Sequence, residues 1–213
     1  VIYTLRDDLY WSFYKSDKKV KVTSDDVIFW YDEIEGDPAF HSSAYNSQFV
    51  TMNDGSEKRI TIERIDDRKF AFHFPRIDSN PYLSTNRIFG PRFIYEKAKK
   101  SGGVQAVQDL FSVAANPATI PSMGQWFLTE YTPGQRLVFK HNPDYWNKDS
   151  NGIAIPYPDE EIVQIVPDQN TQLLLFKEGK QEKYSLRPED LDESVSDHAI
   201  DDAQLQGARG IDG

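Results

Sequence analysis

The chain has 213 residues, enough for one large domain or two small ones with a sizeable core. It contains no cysteine, which excludes disulfides, thiolate metal sites and cysteine nucleophiles. A net charge of −10 and a pI of about 4.9 argue against a nucleic-acid partner, and no apolar run approaches the length of a membrane span.

Val1 to Ser12 reads as a strand pattern with no turn or cap before it, so the start is expected to be cut. Lys15 to Lys21 is a lysine-rich turn, solvated beside an edge strand. Thr23 or Ser24 can cap a helix, and Val27, Trp30, Tyr31 and Ile34 at helical spacing predict an amphipathic helix over 24–35. Its carboxylates, Asp25, Asp26, Asp32, Glu33 and Glu35, read as capping and solvating groups rather than as the acid and nucleophile of a glycosidase. Asn53-Asp54-Gly55 is a turn. After it, Arg59 to Glu63 and Lys69 to Phe74 predict a strand pair about Asp66-Asp67, with Phe70, Phe72 and Phe74 on one face. Short helices are expected over 93–100 and 104–113, broken by Gly102-Gly103, and Asn116 to Pro121 reads as an extended crossing between lobes. The histidines His41, His73, His141 and His198 are scattered singly, without metal-ligand spacing.

Gln125 to Tyr131 and Arg136 to His141 predict an antiparallel hairpin about Pro133-Gly134. Tyr145 and Trp146 follow as an aromatic plug over the core. Glu161 to Val166 is a nearly continuous apolar run, which suits a strand covered on both faces. Asp168 or Asn170 caps a helix with Leu173, Leu174 and Phe176 as its apolar stripe and Gly179 at its C′ position. The acidic tail Ser194 to Gly213 has too little apolar area to fold alone and reads as a disordered tail or an engineered scar.

Three of these stretches, GQWFLTEYTPGQRLVFKHNPDYW, IVQIVPDQNTQLLLFKEGK and YSLRPED, are together similar to the central part of the family 5 extracellular solute-binding proteins, the peptide and oligopeptide receptors of ABC importers. Upstream, Tyr3-Thr4-Leu5-Arg6 with Tyr10-Trp11-Ser12, Val22 to Val27, and the strands near 59–74 resemble the same family. Two departures stand out. Met123-Gly124-Gln125-Trp126 replaces the usual small-Gly-Pro-Tyr, and Gly179-Lys180-Gln181-Glu182 replaces Gly-Glu-Ile-Asp, removing an acid at a strand entry.

The resemblance implies an α+β (mixed α/β) fold of the type II periplasmic-binding-protein kind, in part. It implies a smaller β-rich lobe over 1–116 and part of the main mixed-sheet lobe over 117–193, with a third lobe missing. It implies a receptor at the periplasm or outer face of the cytoplasmic membrane, monomeric, with no cofactor, no metal and no catalysis. Such a receptor binds a peptide or oligosaccharide between lobes and delivers it to ABC permease subunits. Tyr184 and Ser185 are the first candidates for the ligand wall, with Tyr45, Trp126 and Trp11 beside them. A secreted carbohydrate-active enzyme or an adhesive surface domain is the alternative from another class.

Overall fold

The computed structural model describes residues 1–188 and 190, and by its contacts the chain divides into two units, Val1–Val163 and Gln164–Gly213. The lobe boundary expected near residue 116 lies inside the first unit. The tail expectation falls on residues outside the described set. In chain order the elements are β1 (Ile2–Thr4), β2 (Tyr10–Ser12), β3 (Lys19–Lys21), α1 (Ser24–Phe29), β4 (Phe49–Thr51), β5 (Glu57–Arg59), β6 (Thr61–Arg64), β7 (Lys69–His73), α2 (Pro81–Ser84), α3 (Arg92–Asp109), β8 (Trp126–Thr132), β9 (Arg136–His141), β10 (Glu160–Gln164) and α4 (Gln169–Lys177).

The strands form small antiparallel sheets in the orders β1-β7-β6, β2-β3, β4-β5 and β10-β9-β8. The hairpin of β4 and β5 turns through Asn53-Asp54-Gly55, with Asp54 accepting from the Ser56 amide and hydroxyl. In the first sheet β7 is central, and Phe70, Ala71 and Phe72 are all buried, so the register Tyr3↔Phe70 stacks two rings at 5.5 Å. Val27, Tyr31, Ile60, Phe70 and Phe72 form one core cluster, which places α1 over this sheet. A second joins Phe29 and Ile34 to Tyr95 and Val107 of α3. A third holds Leu9, Trp11 and Val22, with Trp146 packed against it, so Trp146 does plug the core.

The expected helix over 24–35 is present but changes type. After Phe29 the chain widens into π-helical turns over Trp30–Glu35, which still carry Tyr31 and Ile34 inward. The two short helices expected around 93–113 are one element, α3, bent where Gly102 and Gly103 leave helical geometry; Gly103 has φ +66°, a value that favours glycine. That bend lets Phe111 return to stack on Tyr95 at 5.5 Å.

One expectation is corrected. The apolar run near Glu161 to Val166 is not covered on both faces: in β10 Ile162 and Val163 are exposed, and so is Ile165 beyond it. Among the described residues β10 lies at the end of its sheet, so an apolar run alone does not tell a strand covered on both faces from one left open. Leu174 of the expected helical stripe is likewise exposed, while Leu173 is buried. Within the second unit, Asp168 caps α4 by accepting the Thr171 amide at 2.7 Å. The helix closes with Gly179 N–H on the Phe176 carbonyl and Lys180 N–H on the Leu175 carbonyl, a Schellman arrangement.

Gly90 shows how tightly α3 is set against the π-helical turns. A Cβ there would sit 2.4 Å from the Tyr95 ring and 2.7 Å from the Trp30 ring. Gly90→Ala is expected to cost about 2 kcal/mol by overpacking, read as a lower urea midpoint at unchanged slope. No loss would mean that both rings move freely.

Candidate functional site

Among the described residues, two grooves stand out in the first unit. One, of about 520 Å³, lies between α1 and α3 and is walled by Asp25, Asp32, Glu33, Arg92, Glu96 and Lys99. Its charges satisfy each other: Lys99 reaches Glu33 at 2.8 Å, Arg92 reaches Glu96 at 3.2 Å, and Arg59 reaches Asp32 at 2.8 Å. Asp25 pairs with Arg64 at 3.0 Å, while Glu35 lies 3.6 Å from Arg87 with no hydrogen bond to its Oε2 among the described residues. Asp26 accepts three N–H groups, from Thr23 and Arg92 of the backbone and from the Trp11 indole. Burial nevertheless pushes its carboxyl above the ordinary range.

The other groove, of about 640 Å³, is aromatic, with Tyr3, Phe70, Phe72, Tyr82 and Leu83 in its walls. Tyr3 presents its ring between Phe70 and Tyr82, edge-on to the latter at 6.4 Å, and its hydroxyl meets Thr85 Oγ1 at 2.5 Å. Tyr82 remains 68% exposed. Among the described lining residues the single charged side chain is Arg87, although the chain carries 34 acidic residues. The groove was not legible in advance, because Phe70 and Phe72 read as core alone and Tyr82 falls in α2, a four-residue helix too short to show a periodicity.

The candidate wall residues are placed as follows. Tyr45 is half-buried on the 42–48 loop, its ring 5.2 Å from that of Phe49. Trp126 opens β8, half-buried, with its ring edge-on to His141 at 6.3 Å. Trp11 is only 4% exposed, its indole N–H given to Asp26, so it serves the core and has no face left for a ligand. Among the described residues, no hydrogen bond or ring pair joins Tyr45, Trp126 and Trp11 to one another.

In the second unit Tyr184 is half-buried, its ring stacked on Phe176 at 6.1 Å and its hydroxyl donating to Asp190 at 2.7 Å; Ser185 is exposed. Arg187 donates to both oxygens of Asp190, at 2.6 and 3.0 Å, and also to Asn170 at 2.9 Å. The Arg187 guanidinium holds the Asp190 carboxyl well below its ordinary range, with Tyr184 and the Arg187 amide adding to it. A depressed folded value means that this stabilisation is complete above the unfolded value and is lost as pH falls through the folded one. The Arg187 Nε–H resonance should therefore hold its bonded position to about pH 3 and move only in stronger acid; movement already complete near pH ~4 would contradict the pairing.

Among the described residues, no group of three or more His, Cys, Asp or Glu could hold a metal ion, and no helix is long and apolar enough to cross a membrane. Residues 1–210 match the sequence model described as "Bacterial extracellular solute-binding proteins, family 5 Middle". A "Probable ABC transporter-binding protein" of Deinococcus radiodurans is 29% identical over 191 residues, which is 87% of this chain and 31% of that protein. Among solved structures, the periplasmic binding protein MelB of Agrobacterium fabrum, in complex with stachyose, is similar with TM-score 0.70 at 21% identity, over 92% of this chain and 29% of that one. The oligopeptide-binding protein AppA of Bacillus subtilis, in complex with a nonapeptide, is similar with TM-score 0.61 at 18% identity, over 91% and 36%. The chain thus spans about a third of the length of these proteins.

Proposed function

Because the chain belongs to the bacterial extracellular solute-binding proteins of family 5, with a fold shared with type II periplasmic-binding proteins, we propose that it is part of the extracytoplasmic substrate-binding component of an ABC importer. The observation that carries this is the family match over residues 1–210. The proposed cargo is a peptide or oligopeptide, held between lobes and handed to membrane permease subunits by a monomeric receptor. Main-chain pairing would give affinity, which is why side-chain selectivity in such a site can be loose. Tyr45, Trp126, Tyr184 and Ser185 are proposed as wall residues. Trp11 is left out because its burial gives it no exposed face.

An oligosaccharide is the second reading, favoured by the exposed Tyr82 ring above the aromatic groove and by the similarity to a stachyose complex. A binding role without turnover fits the carboxylates of 24–35, which are engaged with cations or N–H donors. Mass spectrometry of the ligand released from full-length protein purified without denaturation tests the proposal. Peptide masses are expected. Sugar masses would replace the first reading by the second, and turnover of a glycan panel would overturn both.

A further inference from the structure

Arg87 joins stretches of chain that lie far apart in sequence. Its Nη1 donates to Ser47 Oγ at 2.7 Å and more loosely to the Ala44 carbonyl at 3.5 Å. Its Nη2 donates to the Ser47 carbonyl at 3.1 Å and to the Ser84 carbonyl at 3.2 Å. On its other side, Nη1 lies 3.6 Å from Glu35 Oε2, at the end of the π-helical turns, and the guanidinium stands 5.6 Å from the centre of the Tyr31 ring. The pair is nearly dry, with side chains 11% and 9% exposed. Among the described residues Glu35 Oε2 accepts no hydrogen bond, so the carboxylate holds the guanidinium by charge alone, and the bonds to Ala44, Ser47 and Ser84 set the direction of the planar fork.

The receiving loop has few other ties. Its internal bonds are short-range: Ala44 N–H to Ser42 Oγ, Tyr45 N–H to the Ser42 carbonyl and Ser47 N–H to the Ala44 carbonyl. Gln48, at its end, is anchored by Arg59 and by the Ile60 amide. Among the described residues, the long-range hydrogen bonds that reach residues 42–47 all come from Arg87. Without that guanidinium the loop would be held only at its two ends, by the turn over 37–40 before it and by Gln48, and Tyr45 sits between them.

We infer that Arg87 is a positioning residue: braced on Glu35, it fixes the 42–48 loop and so sets where Tyr45 is offered to a ligand. This rests on the reading of Tyr45 as a wall residue, and the experiment separates the two. Arg87→Lys keeps a cation beside Glu35 but cannot fork, and Ser47→Ala removes one acceptor without touching the ion pair. In the full-length protein, amide hydrogen exchange is followed in both variants. The amides of Tyr45, Ser47 and Gln48 are expected to exchange about tenfold faster in Arg87→Lys, and by less in Ser47→Ala, while Phe70 and Phe72 in β7 are unchanged. Acceleration of loop and β7 together, or of neither, overturns the inference.

The second arm measures binding of tetra-alanine and of stachyose. Arg87→Lys is expected to weaken the bound probe about fivefold, and adding Tyr45→Ala to it to cost little more, because both act through one contact. If Tyr45→Ala alone weakens binding and Arg87→Lys does not, positioning is overturned. If Tyr45→Ala has no effect, or neither probe binds, the ligand reading fails while the exchange result still decides what Arg87 holds.

Discussion

Tyr31→Ala is expected to lower stability by about 4 kcal/mol, the largest single-residue loss in the first unit. Tyr31 is 1% exposed and sits where the sheet core meets the π-helical turns, edge-on to Phe72 at 5.2 Å. Its hydroxyl donates to the Ile60 carbonyl at 2.7 Å. Its own carbonyl accepts from Gln48 Nε2 at 2.8 Å and Arg59 Nη2 at 3.2 Å, and the guanidinium groups of Arg59 and Arg87 lie over its ring. Burial pushes the phenol pKa up to about 12, so the ring remains neutral and its hydroxyl a donor throughout the working pH range. Tyr31→Phe removes only the hydroxyl and leaves the Ile60 carbonyl short of a partner, for a loss of about 1 kcal/mol. Urea unfolding of both variants checks the difference: equal losses would mean that the ring contributes nothing beyond its hydroxyl.

Asp26→Ala ranks second, with an expected loss of about 3 kcal/mol, because it orphans three N–H donors that burial keeps from water. One of them starts α3, one precedes α1 and one belongs to Trp11, so a single carboxylate ties together three parts of the core. Asp26→Asn keeps the shape and one acceptor and should lose less, about 1–2 kcal/mol at neutral pH. The pH dependence has a definite sign. Since burial raises the folded value above the unfolded one, the wild-type group contributes stability that is present below the unfolded value and is lost as pH rises through the folded one. An asparagine cannot titrate, so the gap between wild type and Asp26→Asn should widen as pH is lowered from 7 towards about 4. A gap that narrows would show that the hydrogen bonds outweigh burial.

Where periodicity and caps act locally, the sequence was a sound guide. Thr23 and Asp168 cap as their positions suggest, Gly179 falls at the end of α4, and the Pro133-Gly134 turn joins β8 to β9. Phe70 and Phe72 were assigned correctly to a core face, and Trp146 to a plug. The misses share a cause: they depend on what lies across from a side chain. The apolar residues of β10 read as central although they are exposed, and Trp11 read as a cleft aromatic although Asp26 and Phe89 enclose it. Arg87 carries no signal of its own, because its five partners are spread over Glu35, Ala44, Ser47, Ser84 and the Tyr31 ring. Of the candidate wall, Tyr45 and Trp126 keep accessible surface in the first unit, and Tyr184 and Ser185 do so in the second.

The wide turns at Trp30–Glu35 give this part of the molecule a tolerance of length. A π-helical stretch holds about one more residue per turn than an α-helix, so removing one residue there would restore ordinary winding and let the chain leave on nearly the same face. A deletion within Ser24–Phe29 has no such slack: it would turn Ile34 from its cluster and Glu35 from Arg87 by about 100°, although no side chain had been altered. A one-residue deletion between Trp30 and Glu35 would therefore do less harm than one in α1, and sequences aligned across the segment should be compared by residue count before identity.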